Sequence, residues 1–299
     1  MIRALTVLAS TFRGDVASCE RAQVSGVDAL VARPRSGYGP VVVFANAATP
    51  RGIEEPFVGR FLGALGSAGL VAVAPELPGV RQGEVTPETV EALVGVTCAF
   101  GPRVTLIGTS TGAGLAILAA SDPRIADRIA AVAAISPFAS LRSILRLATT
   151  GYYGDRPFVA APLVGTAAIR SLVASAPDDP GVPALVANRD PHRFCEVYAA
   201  LEPSTRALVR ELSPVTRIAH VLAPVELASD PDDHFFPVAE SRLLAAVGRD
   251  ARLVVTPALD HVRPRFRLGL ARVVALLDRT LRRAAQVEPD PMLLPAPVL

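Results

Sequence analysis

The sequence contains few cysteines, and their spacing excludes two common classes of protein. Among its 299 residues are three cysteines, Cys19, Cys98 and Cys195, which form no CxxC pair and no cysteine–histidine cluster with the spacing of a zinc site. An odd, sparse count also gives no disulfide framework. We therefore expect neither a disulfide-rich domain nor a structural metal site, and a reducing compartment suits these thiols.

The sequence also lacks blocks of basic residues, and we expect no signal peptide. The 30 basic and 28 acidic residues give a net charge of +2 and are scattered along the chain, without the Lys/Arg cluster that follows a phosphate backbone. Nucleic acid is therefore not an expected partner. The first apolar stretch, residues 4–9, is too short for the apolar region of a signal peptide. We expect a cytoplasmic protein.

One uncharged run, residues 104–121, has the length of a membrane span. Three glycines, Gly108, Gly112 and Gly114, divide it into a short β-branched segment and a short alanine-rich segment. This division is typical of a strand followed by a helix. We therefore expect no membrane span.

Hydrophobic residues make up 51% of the chain, and their arrangement indicates an α/β fold. From residue 27 onward, short apolar runs alternate with helix-like stretches, the pattern of βαβ units around a mostly parallel sheet flanked by helices. Thr86, Pro87 and Glu88 have the features of a helix start, and that helix should run to about Ala99. The predicted strands are residues 27–32, 41–45, 70–74, 104–107, 129–135, 221–228 and 253–256, with residues 5–8 as a candidate edge strand.

The alternation breaks between residues 138 and 219. Helical segments at 141–148 and 203–212 flank a stretch rich in Pro, Gly and Asp around 177–183. We expect residues 1–137 and 220–285 to form one core and residues 138–219 an inserted helical lid, because long insertions in compact domains are usually functional or disordered. A loop excursion without a role at the site is the alternative. Residues 286–299, with four prolines, are expected to form a loose C-terminal tail.

The segment Gly-Thr-Ser-Thr-Gly at residues 108–112 matches the pattern G-x-S-x-G. In that pattern the serine occupies a strained turn between a strand and a helix, so its hydroxyl projects above the sheet edge. The required context is present, with a strand-like run at 103–107 and a helix-like run at 113–120. The pattern predicts Ser110 as a nucleophile; a turn in a Rossmann-like sheet is the alternative interpretation.

A serine hydroxyl needs a histidine to take its proton, and that imidazole needs an acid to orient it. Of the four histidines, His261 follows a late predicted strand and a turn, which suits a base. His220 instead precedes a strand, His192 lies in the predicted lid, and His234 lies beside the candidate acids.

Three aspartates follow the predicted strand at 221–228, at the strand end where open α/β sheets place their chemistry. They are Asp230, Asp232 and Asp233. From the residues alone, this loop is a source of the catalytic acid, a solvated turn or a weak cation site. The glycine and glutamate of an EF-hand calcium loop are absent from it.

These residues together resemble the α/β-hydrolase family, in particular its dienelactone hydrolase and esterase-like branches, over residues 27–281. The family's acid loop often reads D-x-x-x-P, and Asp233 to Pro237 matches it. The resemblance therefore implies Asp233 as the acid, Ser110 as the nucleophile and His261 as the base.

Residues 40–50 resemble the family's strand and oxyanion loop, in which a His-Gly pair follows the strand. This chain has Asn46 and Ala47 at that place. The chemistry needs a backbone N–H there and no histidine side chain. The resemblance implies the N–H groups of Thr111 and Ala48 as oxyanion donors, with Ala47 as the neighbouring alternative.

The expected activity is hydrolysis of a carboxylic ester or related acyl bond through an acyl-enzyme, with no metal or organic cofactor required. Two alternatives stay open, an acyltransferase that uses the same triad and a non-catalytic binding protein with this fold. Aromatic residues near the expected cleft suggest a small-molecule acyl substrate that is partly apolar, although core packing is the preferred interpretation for most of them. These residues are Phe138, Tyr152, Tyr153, Phe158, Phe235 and Phe236.

Overall fold

The structure of the chain is a computed structural model, which describes residues 2–13 and 17–286. Almost all of the predicted C-terminal tail, residues 287–299, lies outside the described residues.

Twelve strands are present in the described residues. They are β1 (Cys19–Val24), β2 (Val27–Ala32), β3 (Val41–Ala45), β4 (Val71–Pro75), β5 (Val104–Thr109), β6 (Ile129–Ile135), β7 (Tyr152–Tyr153), β8 (Arg156–Pro157), β9 (Val225–Ser229), β10 (Ala251–Val255), β11 (Leu259–Asp260) and β12 (Arg263–Pro264).

Eleven α-helices accompany these strands in the same residues. They are α1 (Ile2–Arg13), α2 (Pro56–Ser67), α3 (Pro87–Cys98), α4 (Thr111–Ala120), α5 (Leu141–Thr150), α6 (Pro162–Ser175), α7 (Val182–Ala187), α8 (Phe194–Ala199), α9 (Pro203–Glu211), α10 (Val238–Val247) and α11 (Leu270–Ala285).

Eight strands form one central sheet in the order β1-β2-β4-β3-β5-β6-β9-β10. The six strands from β4 to β10 pair in parallel, whereas β2 pairs antiparallel with both β4 and β1. The remaining strands form two small hairpins, β7 with β8 and β11 with β12. The predicted fold class, a mostly parallel sheet flanked by helices, is confirmed.

The inner strands are apolar throughout because both faces of the sheet are covered. Consecutive residues of β3 show this: Val43 packs into the hydrophobic core on one face, and Val42 and Phe44 pack into the core on the other. The alternation follows from the two-residue period of a strand. Helices α3, α4 and α10 cover the first face, and α1, α2 and α11 cover the second.

The prediction of an edge strand at residues 5–8 is wrong, because these residues lie within helix α1. Ala4, Val7 and Thr11 are buried while Leu5 and Phe12 are exposed, which is the spacing of a helix with one buried side and not that of a strand. The Thr11 hydroxyl also donates to the Val7 carbonyl, 2.7 Å away, one turn earlier.

Helix α3 begins where the sequence predicts. The Thr86 side chain accepts a hydrogen bond from the Thr89 N–H, and the Thr89 side chain accepts one from the Thr86 N–H, so both ends of a capping box are present. Pro87 occupies the first turn, where it costs no hydrogen bond.

The strand predicted at 221–228 begins four residues later, at Val225. Residues 218–220, just before the predicted strand, form a single 3-10 turn. Pro224, which has no N–H to donate to a neighbouring strand, precedes the first strand residue. The strand therefore runs from Val225 to Ser229 and delivers the acid loop at its carboxyl end.

Five helices, α5 to α9, lie between β6 and β9 and occupy most of residues 138–219. They contain both helices predicted for this region. Within the described residues, no helix is both long enough and apolar enough to cross a membrane.

Candidate active site

Ser110 lies in the turn between the end of β5 and the start of α4, with a φ of +53°. A non-glycine residue with this backbone conformation is strained and needs support from its surroundings. Part of that support is a hydrogen bond of 2.8 Å from the Ser110 N–H to the carbonyl of Ile135 on the neighbouring strand β6. The turn lifts the serine above the carboxyl edge of the sheet.

Two glycines make this turn sterically possible. A Cβ at Gly108 would lie 2.3 Å from the Gly112 carbonyl oxygen, and a Cβ at Gly112 would lie 2.1 Å from the Ala45 carbonyl oxygen and 2.4 Å from that of Asn46. No side chain fits at such distances, so the strand, the turn and the end of β3 approach each other closely only with glycine at both places.

The three predicted triad residues meet at this edge. His261 Nε2 lies 2.8 Å from Ser110 Oγ, and His261 Nδ1 lies 2.7 Å from Asp233 Oδ2. All three residues are buried, with 9% of His261 exposed. Because Asp233 accepts from Nδ1–H, the proton of a neutral imidazole resides there and Nε2 is free to accept from the serine hydroxyl.

The acid loop fixes the Asp233 carboxylate. Its second oxygen, Oδ1, accepts the backbone N–H groups of Phe235 at 2.7 Å and Phe236 at 3.2 Å. Burial alone would raise the pKa of Asp233, but the hydrogen bond and charge interaction with His261, together with hydrogen bonds from the Phe235 N–H and the Ser136 side chain, outweigh it and hold the pKa below its usual value. Asp233 therefore stays ionised beside the imidazole.

His261 occupies the first turn position of the two-residue hairpin that joins β11 to β12, with a φ of +54°. Glycine normally takes such a place because of the positive φ. The buried Ser136 hydroxyl donates to the His261 carbonyl, 2.7 Å away. Ser136, at the end of β6, itself has a φ of +50°. A strained serine thus holds the backbone of the strained histidine.

The imidazole of His261 is also stacked on an aromatic ring. The Phe235 ring lies 4.1 Å from it, centroid to centroid, with 20° between the planes, and Phe236 approaches its edge at 6.1 Å. The stacking limits rotation of the imidazole about its side-chain bonds. Asp233, through its carboxylate, and Phe235, through its ring, therefore contact His261 from the same loop.

The predicted oxyanion residues lie beside the serine. Thr111, as the first residue of α4, has an N–H without an acceptor inside the helix, and Thr111, Ala47 and Ala48 all line the same cleft as Ser110. The buried side chain of Asn46 donates to the carbonyl of Gly52 at 2.9 Å, so Asn46 braces the loop. The roles of the Thr111 and Ala48 N–H groups as oxyanion donors stay predictions.

A cleft of about 440 Å³ opens at Ser110 and His261. Helices α5 and α6 contribute residues to its lining, as do the aromatic residues Phe138, Phe235 and Phe236. Three other aromatic residues that the sequence suggested, Tyr152, Tyr153 and Phe158, are not among the residues that line it. Most of the lining is apolar; the residues contributed by α5 and α6 are Leu141, Ile144, Leu163, Val164, Ala167, Ala168 and Ser171.

The other candidate histidines and aspartates lie outside this arrangement. His192, His220 and His234 are exposed, Asp232 is exposed and Asp230 is half-buried. In the described residues, no group of three or more His, Cys, Asp or Glu side chains is placed to hold a metal ion.

Sequence reasoning missed two residues that support the site. Ser136 gave no signal because its contact with His261 spans 125 positions. Glu240 is buried on α10, where its carboxylate accepts the N–H groups of Ala139 and Ser140 and the Tyr153 hydroxyl. The available signal for Glu240 was its position three residues after Pro237 of the acid loop. A glutamate on the exposed surface of a helix can stand at the same position, so this signal does not identify a buried residue.

Comparison with known proteins identifies the class. The family model described as the alpha/beta hydrolase family matches residues 25–283, most of the chain, and the order and direction of the strands agree with this. The chain belongs to the α/β-hydrolase family. A comparison with curated proteins finds no significant match.

Solved structures with the same fold share little sequence with this chain. Acylaminoacyl peptidase of Pyrococcus horikoshii superposes with a TM-score of 0.63 and 14% identity, over 93% of this chain and 44% of that one. Est1E of Butyrivibrio proteoclasticus gives 0.57 and 16%, over 90% of this chain and 100% of that one. A puromycin-hydrolysing peptidase of Mycobacterium tuberculosis gives 0.55 and 17%, over 90% and 38%. The chain thus spans less than half the length of either peptidase.

Proposed function

We propose that the protein is a serine hydrolase that cleaves a carboxylic ester or a related acyl bond. The observation that carries the proposal is the continuous pair of contacts from Asp233 through His261 to Ser110, at 2.7 and 2.8 Å. Contacts of this length connect a nucleophile, a base and an orienting acid in the way that acyl transfer to serine requires.

In the proposed cycle, Ser110 Oγ attacks the acyl carbonyl while His261 Nε2 takes the hydroxyl proton. The N–H groups of Thr111 and Ala48 stabilise the oxyanion, and the imidazolium returns the proton to the leaving alcohol. A water molecule then attacks the acyl-enzyme with the same base, releasing the acid and restoring Ser110. Each proton moves between His261 and a reacting oxygen, so no metal or organic cofactor is needed.

The lining of the cleft supports an apolar acyl or alcohol portion. The residues contributed by α5 and α6 are aliphatic except for Ser171, whose hydroxyl accepts the Val85 N–H at 2.9 Å. Burying apolar surface contributes about 25 cal/mol per Å², so longer acyl chains should bind more tightly until the cleft is filled. In this proposal residues 138–219 act as the lid over that chain.

The test is release of p-nitrophenol from p-nitrophenyl esters of increasing acyl length, by wild type and by Ser110→Ala, together with labelling by a fluorophosphonate. The proposal predicts turnover and labelling that both disappear in Ser110→Ala. They should persist in Ser204→Ala, a matched change at an exposed serine on α9. Full activity in Ser110→Ala would contradict the mechanism.

A matched p-nitroanilide distinguishes ester from amide cleavage, which matters because several structural neighbours are peptidases. Hydrolysis of the ester alone supports the esterase proposal. Product analysis with an added alcohol distinguishes a hydrolase from an acyltransferase, because a transferase gives the new ester in place of the free acid. A cytoplasmic location also stays a prediction, which fractionation of the producing cells tests.

A further inference from the structure

The loop that follows His261 alternates arginine with other residues and is strongly exposed. Residues 263–268 read Arg-Pro-Arg-Phe-Arg-Leu, and Phe266 is 80% and Leu268 94% exposed. A single exposed apolar residue is ordinary, whereas a contiguous apolar surface next to an active site indicates an interaction site.

Helix α1 extends this surface. The Phe12 ring, on a residue that is 47% exposed, lies 5.2 Å from the Phe266 ring. Leu5 is also exposed and lies seven residues before Phe12, on the same side of the helix. We call the surface formed by Leu5, Phe12, Phe266 and Leu268 the hairpin patch. Two segments more than 250 positions apart in the sequence build it.

The surroundings of the hairpin patch carry positive charge. Residues 260–272 contain four arginines and one aspartate, a net charge of +3, whereas the whole chain has +2. Asp260 is paired with Arg265, and Arg263, Arg267 and Arg272 make no ion pair within 4.0 Å in the part of the chain that the structure describes. Two acidic residues of the acid loop, Asp230 and Asp232, line a hollow together with Arg265 and Arg267.

The hairpin patch adjoins the mouth of the cleft. Val262 and Arg263, on the hairpin that carries His261, line the cleft. Val262 also lines a second, apolar cavity of about 60 Å³ behind the hairpin, and Phe12 lies at that cavity. A surface that binds the patch would therefore lie close to residues that line the cleft.

We propose that the hairpin patch docks on an anionic lipid surface, with Phe266 and Leu268 inserted and the arginines at the level of the headgroups. Apolar side chains interleaved with arginines are the combination that binds at this interface, because the apolar part leaves water while the guanidinium groups stay near the phosphates. The side chains project from a loop and do not line a groove, which suits a deformable lipid surface better than a folded partner. This inference goes beyond the proposed function, since docking does not require Ser110 to react.

The sequence contains no tryptophan, so Phe266→Trp places a single fluorescent reporter on the hairpin patch. The experiment uses this variant in the Ser110→Ala background, which prevents any turnover of lipid and keeps failure of docking separate from failure of the proposed function. With vesicles of phosphatidylcholine and phosphatidylglycerol we expect a blue shift of the emission and co-sedimentation of the protein. Leu222→Trp, at an exposed site before β9, keeps the hairpin patch and should therefore co-sediment with the vesicles but show no blue shift.

Substitutions that weaken vesicle binding then identify the contributing side chains. Replacing Phe266 and Leu268 together by serine should lower vesicle partitioning about tenfold or more, and Arg272→Gln should lower it about fivefold. The matched controls Leu222→Ser and Arg249→Gln should leave it unchanged. Added salt should weaken the binding, because it screens the charges.

Three results would overturn the proposal. One is the absence of vesicle binding at low ionic strength, and another is binding that the Phe266 and Leu268 substitutions do not affect. The third is binding through the hairpin patch to a protein or polymer in the absence of lipid. A change of molecular mass in the double serine variant would assign the patch to self-association, and patch-dependent binding to polyglutamate without vesicle binding would assign it to an acidic protein.

Discussion

Backbone strain is concentrated at the candidate site. Of the five non-glycine residues with positive φ in the described part of the chain, three are Ser110, Ser136 and His261. Each such residue costs of order 1–3 kcal/mol and persists only when its surroundings hold it. Here the hydrogen bonds from the Ser110 N–H to Ile135 and from the Ser136 hydroxyl to His261 do so. The site is therefore pre-formed before any substrate arrives.

Ser136→Ala tests this support. Without its hydroxyl the His261 carbonyl loses its donor, so we expect kcat to fall about tenfold, corresponding to about 1.4 kcal/mol, while KM changes little because Ser136 does not line the cleft. Steady-state kinetics on a p-nitrophenyl ester measures both. Ser136→Gly, which removes the hydroxyl but relieves the positive φ, should lose as much kcat while unfolding at a higher temperature than Ser136→Ala. An unchanged kcat in both variants would show that Ser136 has no positioning role.

Gly112→Ala tests the close approach of the nucleophile turn to β3. The added methyl would overlap two carbonyl oxygens of the backbone, at 2.1 and 2.4 Å, and the nearer one belongs to Ala45, the last residue of strand β3. We expect a melting temperature well below that of wild type and loss of ester hydrolysis. Gly59→Ala, where nothing lies within 4 Å of the added carbon, is the control and should behave as wild type. A stable, active Gly112→Ala protein would contradict the described turn.

The sequence predicted those site residues that belong to a short sequence pattern. Ser110 was predicted from five adjacent residues and their flanking elements. Asp233 was implied by the family resemblance, because the segment from Asp233 to Pro237 matches the acid-loop pattern D-x-x-x-P. Ser136 was not predicted because its role depends on a contact across 125 positions, and serine at the end of a strand has no pattern of its own.

Among the elements, Glu240 connects helix α10 of the core with the start of α5 and with β7. Its carboxylate is buried, accepting the N–H groups of Ala139 and Ser140 at 2.5 and 2.8 Å and the Tyr153 hydroxyl at 2.6 Å. Burial raises the pKa of Glu240 above its ordinary value, against these hydrogen bonds, which lower it. The same burial and the neighbouring carboxylate raise the pKa of Tyr153.

The raised pKa predicts a specific pH dependence. A folded-state pKa above the unfolded one means that the folded chain binds the proton more tightly, so this group's contribution to the free energy of unfolding is fully present below the ordinary pKa of 4.5. It is lost as the pH rises towards the raised value. Glu240→Gln cannot ionise, and its amide can still accept from the N–H groups and donate to Tyr153.

We therefore expect the melting temperature of Glu240→Gln, relative to wild type, to rise as the pH is increased from about 4 to neutrality. Thermal unfolding at a series of pH values measures it. Glu211→Gln, at an exposed glutamate on α9, should show no such trend. Parallel curves for wild type and Glu240→Gln would show that burial does not perturb this carboxylate.

Helices and strands were predicted correctly where the hydrophobic periodicity and the capping residues indicated the same element. Helix α3 has a cap, a first-turn proline and a stop, and it was predicted nearly to the residue. Helix α1 was taken for a strand because residues 5–8 were considered as a short apolar run, whereas its helical spacing appears only over ten residues. Strand β1, the exposed edge of the sheet, was not predicted, since its sequence, Cys-Glu-Arg-Ala-Gln-Val, has no apolar run.

On the scale of the whole molecule, the insert between β6 and β9 shapes the cleft. Helix α6 is tied to the core at two places: the Ala161 N–H donates to the His234 carbonyl at 2.7 Å, and the Ser171 hydroxyl accepts the Val85 N–H at 2.9 Å. These bonds hold the helix across the cavity. The proposed acyl specificity therefore depends on the side chains that α6 presents to the cleft.

Ala167→Leu tests that dependence. Ala167 lines the cleft from α6, so three added carbon atoms should displace about as many methylenes of an acyl chain. We expect the preferred p-nitrophenyl ester to become shorter, with long-chain kcat/KM falling about tenfold or more and short-chain values unchanged. Thr166→Leu, an exposed neighbour on the same helix outside the cleft lining, should keep the wild-type profile. An unchanged chain-length profile in Ala167→Leu would mean that the acyl chain lies elsewhere.

The most direct test of the proposed mechanism is to locate the residue that a fluorophosphonate labels in the native chain. Tryptic cleavage should release residues 104–124 as one peptide, since Arg103 and Arg124 bound it, and fragmentation of that peptide by mass spectrometry assigns the adduct. The proposed mechanism predicts a single adduct on Ser110. Asp233→Asn and His261→Ala should lose this adduct under the same labelling conditions. An adduct on another serine, or undiminished labelling without His261, would contradict Ser110 as the activated nucleophile.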